Sequence, residues 1–201
     1  MDTPIRPVHI AIACHDGRGH TARLAAAVQA GASDVPGTEV LHIQVDRITA
    51  PQWHQLDTAD AIIFGAPTYM GTASAAFHAF AEASGKRWFV RRWQDKVAAG
   101  FTNSGSMAGD KSSTLNYFVT LAAQHGMLWV NLGLAPGWNS SSGSEFDLNR
   151  LGFYQGAAAQ SNVDDRSGTV HKSDLATAEH LGRRVAELTR IVVAGRLALE
   201  P

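Results

Sequence analysis

Val8–Cys14 is the segment that most narrows what this chain can fold into. Its sequence, Val-His-Ile-Ala-Ile-Ala-Cys, is a nearly unbroken apolar run. A strand with one wet face alternates apolar and polar residues, whereas an unbroken run reads as a strand covered on both faces, as in parallel sheets. Similar short apolar runs recur at Glu39–Val45, Asp60–Gly65 (with Ala61-Ile62-Ile63-Phe64), Val97–Phe101 and Met127–Leu132. Between them lie helix-like segments. Gly19–Gly31 places Leu24, Ala27 and Val28 at helical spacing, with Gly31 as a stop. Ala73–Ala83 is rich in helix formers, Ser112–His125 follows the fourth strand, and Asp174–Val193 ends the pattern with Ser173 or Asp174 as N-cap. Strands alternating with helices predict an α/β three-layer sandwich with a five-stranded parallel sheet and helices on both faces. Strand order 2-1-3-4-5 is expected, in a single domain spanning 1–201. Its switch point lies between the first and third strands, so a ligand belongs beyond their C-terminal ends.

Composition closes off several functions. With 45% hydrophobic and 17% charged residues and a formal net charge of −1, the chain is an ordinary globular sequence without a field that would recruit nucleic acid or an anionic membrane. Nothing approaches the ~18–20 continuous apolar residues of a membrane span, so no membrane insertion is expected. Cys14 is the one cysteine, which excludes an intrachain disulfide and reads as small core filler in a reducing compartment. Met1-Asp2-Thr3-Pro4 lacks the basic start and apolar stretch of a signal peptide, and a cytoplasmic location is expected. Nine histidines show no metal-ligand spacing, so no metal is expected. No Gly-x-Ser-x-Gly elbow supports a serine hydrolase.

Three loops follow the strands around the switch point. The first, His15-Asp16-Gly17-Arg18-Gly19-His20-Thr21, combines two glycines with a helix start, whose free N–H groups and dipole suit an anion such as phosphate. An ordinary βα turn capped by Asp16 or Thr21 fits the same letters. So does a dinucleotide fingerprint, Gly17-x-Gly19-x-x-Ala22, with Asp46 as the ribose-binding acid. The second loop, Gly65-Ala66-Pro67-Thr68-Tyr69-Met70-Gly71-Thr72, can offer backbone groups to the edge of a flat heterocycle, with Tyr69 or Met70 against its face; a plain βα connection is the alternative. The third is the glycine- and serine-rich stretch Asn103–Asp110. A further loop of that kind is Asn139–Ser144.

Pro67-Thr68-Tyr69-Met70-Gly71, followed by an Ala/Phe-rich helix and Ser84-Gly85, resembles the flavin loop of the WrbA-type NAD(P)H:quinone oxidoreductases, FMN enzymes of the flavodoxin superfamily. Gly19-His20-Thr21, Thr102-Asn103-Ser104-Gly105-Ser106, Trp88 and His125-Gly126-Met127 match further motifs of that family, from about residue 8 to 193. The resemblance implies a flavodoxin-like fold and FMN, with NADH or NADPH as electron donor and a quinone-like small molecule as acceptor. It places the FMN phosphate on Asp16–Thr21, the ring edge on Pro67–Gly71 and the other side on Asn103, Ser104 and Gly105. Met70, Trp88, Gln124 and His125 become the substrate face, with no obligatory acid or base. In the family the Trp reaches a neighbouring subunit's flavin site, so a homo-oligomer, dimer or tetramer, is implied.

The chain departs from the family in four places. Asp16 stands where the family has Ser. At ~5 Å and an effective dielectric of ~20, its carboxylate would repel a phosphate charge by roughly 3 kcal/mol unless it turns away as a helix cap or is offset by Arg18 or a histidine. Gln124-His125 replaces His-His, Met107-Ala108 interrupts the glycine run, and the connection from Asp46 to about Thr58 lacks the family's longer insertion. Lys86–Trp93, basic and aromatic, reads as a subunit contact, a cofactor grip or a solvated face. Gly152–Gly156 either folds over the flavin region or packs the last strand's return. Two other functions remain open: an electron carrier that does not oxidise NAD(P)H, and a flavin-free binding protein.

Overall fold

The computed structural model describes residues 6–165 and 167–199, so Met1-Asp2-Thr3-Pro4 lies outside the described residues. The central strand β1 is Val8–Cys14, as its apolar run predicts. It is flanked by β2 (Thr38–Gln44) and β3 (Ala61–Tyr69), and β5 (Val97–Ser104) lies beyond β3, all parallel. A two-residue strand, β4 (Thr72–Ala73), folds back on the end of β3. The fifth place in the sheet is shared: β6 (Leu128–Trp129) pairs with the start of β5, and β7 (Ala157–Gln160) pairs with its end. The order β2-β1-β3-β5-β6 is the expected 2-1-3-4-5 once β4 is set aside. β2 is therefore an edge. The dinucleotide-binding order, in which a third strand lies beyond the second, does not form here, and Asp46 sits in a 3₁₀ turn after β2.

Side-chain alternation along β1 sorts the two cores. Ile10 and Ile12 point to the layer of α1 (His20–Ser33) and α6 (Lys172–Leu199), where Leu24, Val28, Leu181 and Val185 are buried. Ala11 and Ala13 face the other layer, built by α2 (Ala50–Thr58), α3 (Ala75–Ala83), a short α4 (Gly85–Phe89) and α5 (Lys111–Gln124). The small alanines make room there for Phe64, Phe77, Phe80, Trp93 and Phe118, whose rings pack edge-on or tilted at 4.7–6.3 Å, apart from the stacked Phe80–Trp93 pair. Each such side chain contributes roughly 1.5–3 kcal/mol of burial. Cys14 is fully buried, and burial pushes its thiol well up from its ordinary value, consistent with filler.

Several local expectations change. Gly31 does not stop α1, which runs on to Ser33. A Cβ there would collide with the Glu179 carbonyl of α6, and one on Gly182 with the Val28 carbonyl, so both glycines let two helices touch. β3 and β5 each run several residues past Gly65 and Phe101, because their polar ends still find ladder partners, Pro67 opposite Asn103. The strand expected at Met127–Leu132 keeps only two residues. Gly152–Gly156 packs the return: Trp129 Nε1 donates to the Gln155 carbonyl at 2.9 Å immediately before β7. The connection Asp46–Thr58 holds α2, started by a Thr49/Gln52 capping box. Ser173 and Asp174 lie inside the first turn of α6 rather than capping it. Asp174 instead forms a buried bidentate pair with Arg150 at 2.7 and 2.9 Å and accepts from the Gln160 N–H at 3.0 Å, pinning β7 to the helix.

Candidate functional site

Beyond the C-terminal ends of β1, β3 and β5 lies a cleft of about 420 Å³, within the usual range for small-molecule sites. Four segments line it. From the first loop come Arg18, His20 and Thr21. Asp16 does not face the cleft: its Oδ1 accepts from the N–H groups of Gly19 at 3.1 Å and Ala22 at 2.9 Å, so the carboxylate caps α1. In the first helical turn this leaves the N–H groups of His20 and Thr21 without intrahelical acceptors. Gly17, at φ +72°, comes so close to the second loop that a Cβ would sit 2.7 Å from the Tyr69 hydroxyl. His15 fastens the same loop from behind, its N–H donating to the Gly65 carbonyl at 2.9 Å and its Nδ1 bonded to Ser74 Oγ at 2.7 Å.

The second segment is a tight hairpin rather than a long loop. Tyr69 pairs with Thr72, leaving Met70 (φ 49°) and Gly71 (φ 87°) as the two turn residues. Positive φ at both positions is the type I′ turn, in which Asn-Gly is the usual pair. A methionine there, fully exposed, is unusual. Pro67, Thr68, Tyr69 and Met70 all line the cleft. Thr68 aims its hydroxyl away from it, into a buried set of bonds with Thr102 at 2.8 Å and Thr114 at 2.7 Å. The hairpin is thereby tied to β5 and α5.

The third segment, Asn103, Ser104 and Gly105, ends β5. Asn103 is 6% exposed; its Nδ2 donates to Ser161 Oγ at 2.8 Å, while its buried Oδ1 has no partner among the described residues. The buried His20 Nε2 is likewise without one. Unmet buried polar atoms are costly, and two of them on residues lining one cleft are what a polar ligand would satisfy. The fourth segment, Ser161, Asn162 and Val163, follows β7 and escaped the sequence reading. Its signal was faint, since Ala157–Ala159 becomes a strand only through its pairing with β5. Gln160 Nε2 donates to the Gly105 carbonyl at 3.0 Å, and the Ser161 N–H donates to the Ser104 carbonyl at 3.1 Å, so segments three and four brace each other.

Trp88, Gln124 and His125 do not join this cleft within one chain. α5 returns antiparallel to the strands and finishes at their N-terminal end. There Asp95 N–H bonds the Gly126 carbonyl, and Leu128 N–H bonds the Lys96 carbonyl at the start of β5. The three residues border a separate depression with Phe89, Arg91 and Gln94. His125 is a buried structural ring: Nε2 bonds Ser84 Oγ at 2.9 Å, the ring lies 4.5 Å from Trp93, and burial holds its pKa down to about 4. Of the substrate-face residues inferred by resemblance, a single chain brings only Met70 to the cleft. No cluster of three or more metal-ligating side chains occurs among the described residues.

The residues fit FMN. The cleft offers Arg18 and the first-turn N–H groups of His20 and Thr21 to a phosphate, and the Tyr69–Met70 hairpin and the Asn103 Oδ1 acceptor to a polar heterocycle.

Comparisons with known proteins agree with that geometry. The family described as NADPH-dependent FMN reductase matches residues 49–135. Flavodoxin FldP of Pseudomonas aeruginosa is 45% identical over 175 residues, covering 86% of this chain and 91% of that protein. An NAD(P)H dehydrogenase (quinone) of Archaeoglobus fulgidus is 33% identical over 153 residues, covering 76% and 71%. The crystal structure of a flavodoxin, WrbA-like protein from Agrobacterium tumefaciens superposes with a TM-score of 0.73 at 42% identity, covering 92% of this chain and 98% of that one.

Proposed function

The chain belongs to the flavodoxin-like, WrbA-type family, and from that premise we propose that it is an FMN-dependent oxidoreductase that takes two electrons from NADH or NADPH and passes them to a quinone-like acceptor. The observation that carries this reading is the cleft at the switch point, with its unpartnered Asn103 Oδ1 beside a hairpin that holds Met70 at positive φ. FMN, when bound, supplies the redox chemistry. The chain's own residues bind and orient. Arg18 and the N–H groups of His20 and Thr21 hold the phosphate. Asp16 stabilises the start of α1 while keeping its carboxylate directed at its own helix rather than at the phosphate. Tyr69, Met70 and Asn103–Gly105 hold the ring, Asn103 Oδ1 accepting a hydrogen bond from it. Met70, fully exposed at the hairpin turn, would border the side from which the nicotinamide and the acceptor approach in turn.

Two further parts belong to this reading. A homo-oligomer, dimer or tetramer, is the arrangement that would bring Trp88, 53% exposed beside exposed Phe89 and Val90, to another copy's cleft. The buried thiol and the lack of any described helix long and apolar enough to cross a membrane fit action in the cytoplasm. A specific observation favours a second reading: the Pseudomonas aeruginosa relative is named a flavodoxin, and a plain electron carrier would use the same cleft. Anaerobic titration of FMN-loaded protein with NADH or NADPH separates the two. Direct bleaching of the flavin bands, reversed by benzoquinone, supports the oxidoreductase. A stable one-electron stage with slow NAD(P)H oxidation supports the carrier, and absence of any FMN uptake overturns both.

A further inference from the structure

Lys111 is the most deeply buried cation among the described residues, and the binding reading has no use for it. It opens α5, its side chain is wholly buried, and its ammonium group donates to Ser104 Oγ at 2.8 Å and to the Ser106 carbonyl at 2.6 Å. The Phe153 ring lies 5.7 Å from Nζ on another side. An ammonium has three donors and no acceptor. Two of them hold opposite ends of one turn, and the third side is closed by an aromatic ring. The turn folds tightly around the same point: a Cβ on Gly109, at φ +51°, would collide with Ser104 Oγ. Burying a cation is unfavourable, and burial lowers this amine to about 8, with Asp174 opposing that shift and Arg150 adding to it. An apolar side chain would fill the space without that cost. What it would not do is gather a hydroxyl and a carbonyl of the loop that ends at the cleft.

Ser104 is the connection to function. It lines the cleft between Asn103, whose Oδ1 is unmet, and Gly105, which Gln160 holds from the β7 side. The loop is thus braced on one side by β7 and from beneath by Lys111. We propose that Lys111 is a positioning residue of the cleft, locking Ser104 to Ser106 so that Asn103–Gly105 stay presented to the flavin ring, and standing one residue behind them as a fixed positive charge. This rests on the FMN reading, and two readouts keep the two ideas separable. Loop order is measured without flavin; affinity and potential are measured with it.

The experiment compares wild type with K111M and K111R. In FMN-free protein, K111M should speed amide hydrogen exchange at residues 104–109 at least tenfold while the β1 and β3 amides keep their protection. FMN should then bind tenfold or more weakly. The midpoint potential of the bound flavin should move to a more negative value, because a cation behind the loop that faces the ring favours the electron-rich reduced form. K111R, which keeps the charge and the donors, should recover most of the affinity and the potential. Where K111M does not fold, K111Q keeps a donor without the charge and should show partial loss of protection with the same direction of potential shift. A folded K111M or K111Q with wild-type exchange at 104–109, or with affinity within twofold and an unchanged potential, overturns the proposal. If wild-type protein takes up no FMN, the functional reading fails and the exchange arm alone decides whether Lys111 orders the loop.

Discussion

The two ends of the sheet are built from similar residues to opposite purposes. At the N-terminal end, polar groups are spent on one another. Asp57 accepts from Arg87 Nε at 2.9 Å and from Trp93 Nε1 at 3.0 Å, and the Lys96 ammonium donates to the carbonyls of Asp57 and Ala59. Two buried atoms are unmet there as well, Thr38 Oγ1 at the start of β2 and His125 Nδ1, but they sit on separate elements, and His125 is a neutral ring anchored through Nε2. At the C-terminal end, two unmet side-chain atoms and free helix N–H groups converge on one cleft. The contrast teaches that stability and recognition are separated along the strands: one end is closed on itself, and the other holds groups in reserve for a ligand.

Mutations can break that separation. The largest effect belongs to Trp93, fully buried at the closed end. W93A should destabilise the protein by about 3–5 kcal/mol in urea denaturation, while the folded fraction binds FMN with wild-type affinity; a large change in FMN affinity would show the two ends to be coupled. His125 gives a pH-dependent version. Its pKa, held near 4 when folded, stands below the ordinary value of about 6.5. The unfolded chain therefore takes a proton that the folded one refuses. Stability from this group is complete above about pH 6.5 and is lost as pH falls toward 4, by up to roughly 3 kcal/mol. H125N should flatten the stability profile across that window.

At the open end the order reverses, with binding affected more than folding. N103A should weaken FMN binding by about 1–3 kcal/mol, the range for a buried bond to a polar partner, and shift apo stability by less, since only the bond to Ser161 is lost. Asp16 gives the smallest and most pointed test. D16S removes the carboxylate's bonds to the Gly19 and Ala22 N–H groups and should cost about 1 kcal/mol at the start of α1. It should tighten FMN binding about tenfold, roughly 1.4 kcal/mol, by removing a charge near the phosphate. Unchanged or weaker binding, measured by fluorescence titration, would show that the capped carboxylate is already neutralised by its helix.

Some of this was written locally. The buried run Val8–Cys14, the alternation of strands and helices and the three loops at the switch point follow from periodicity and turn chemistry, which act over a few residues. The resemblance carried by Pro67–Gly71 and Gly19–Thr21 named the cofactor before any contact was visible. What only the tertiary structure decided depends on partners distant in sequence. Whether Gly31 ends a helix or admits another is settled by Gly182, across the helix pair. Ala157–Gln160 becomes a strand because β5 and Asp174 hold it, and that pairing brings Ser161–Val163 to the cleft. Trp88 and His125 belong to the same family motifs, yet the returns of α3, which α4 and Trp88 follow, and of α5, which His125 ends, put them at the far end. The direction of the Asp16 carboxylate and the burial of Lys111 are likewise invisible in a string of letters, since both are choices among hydrogen-bond partners that exist only once the chain has closed.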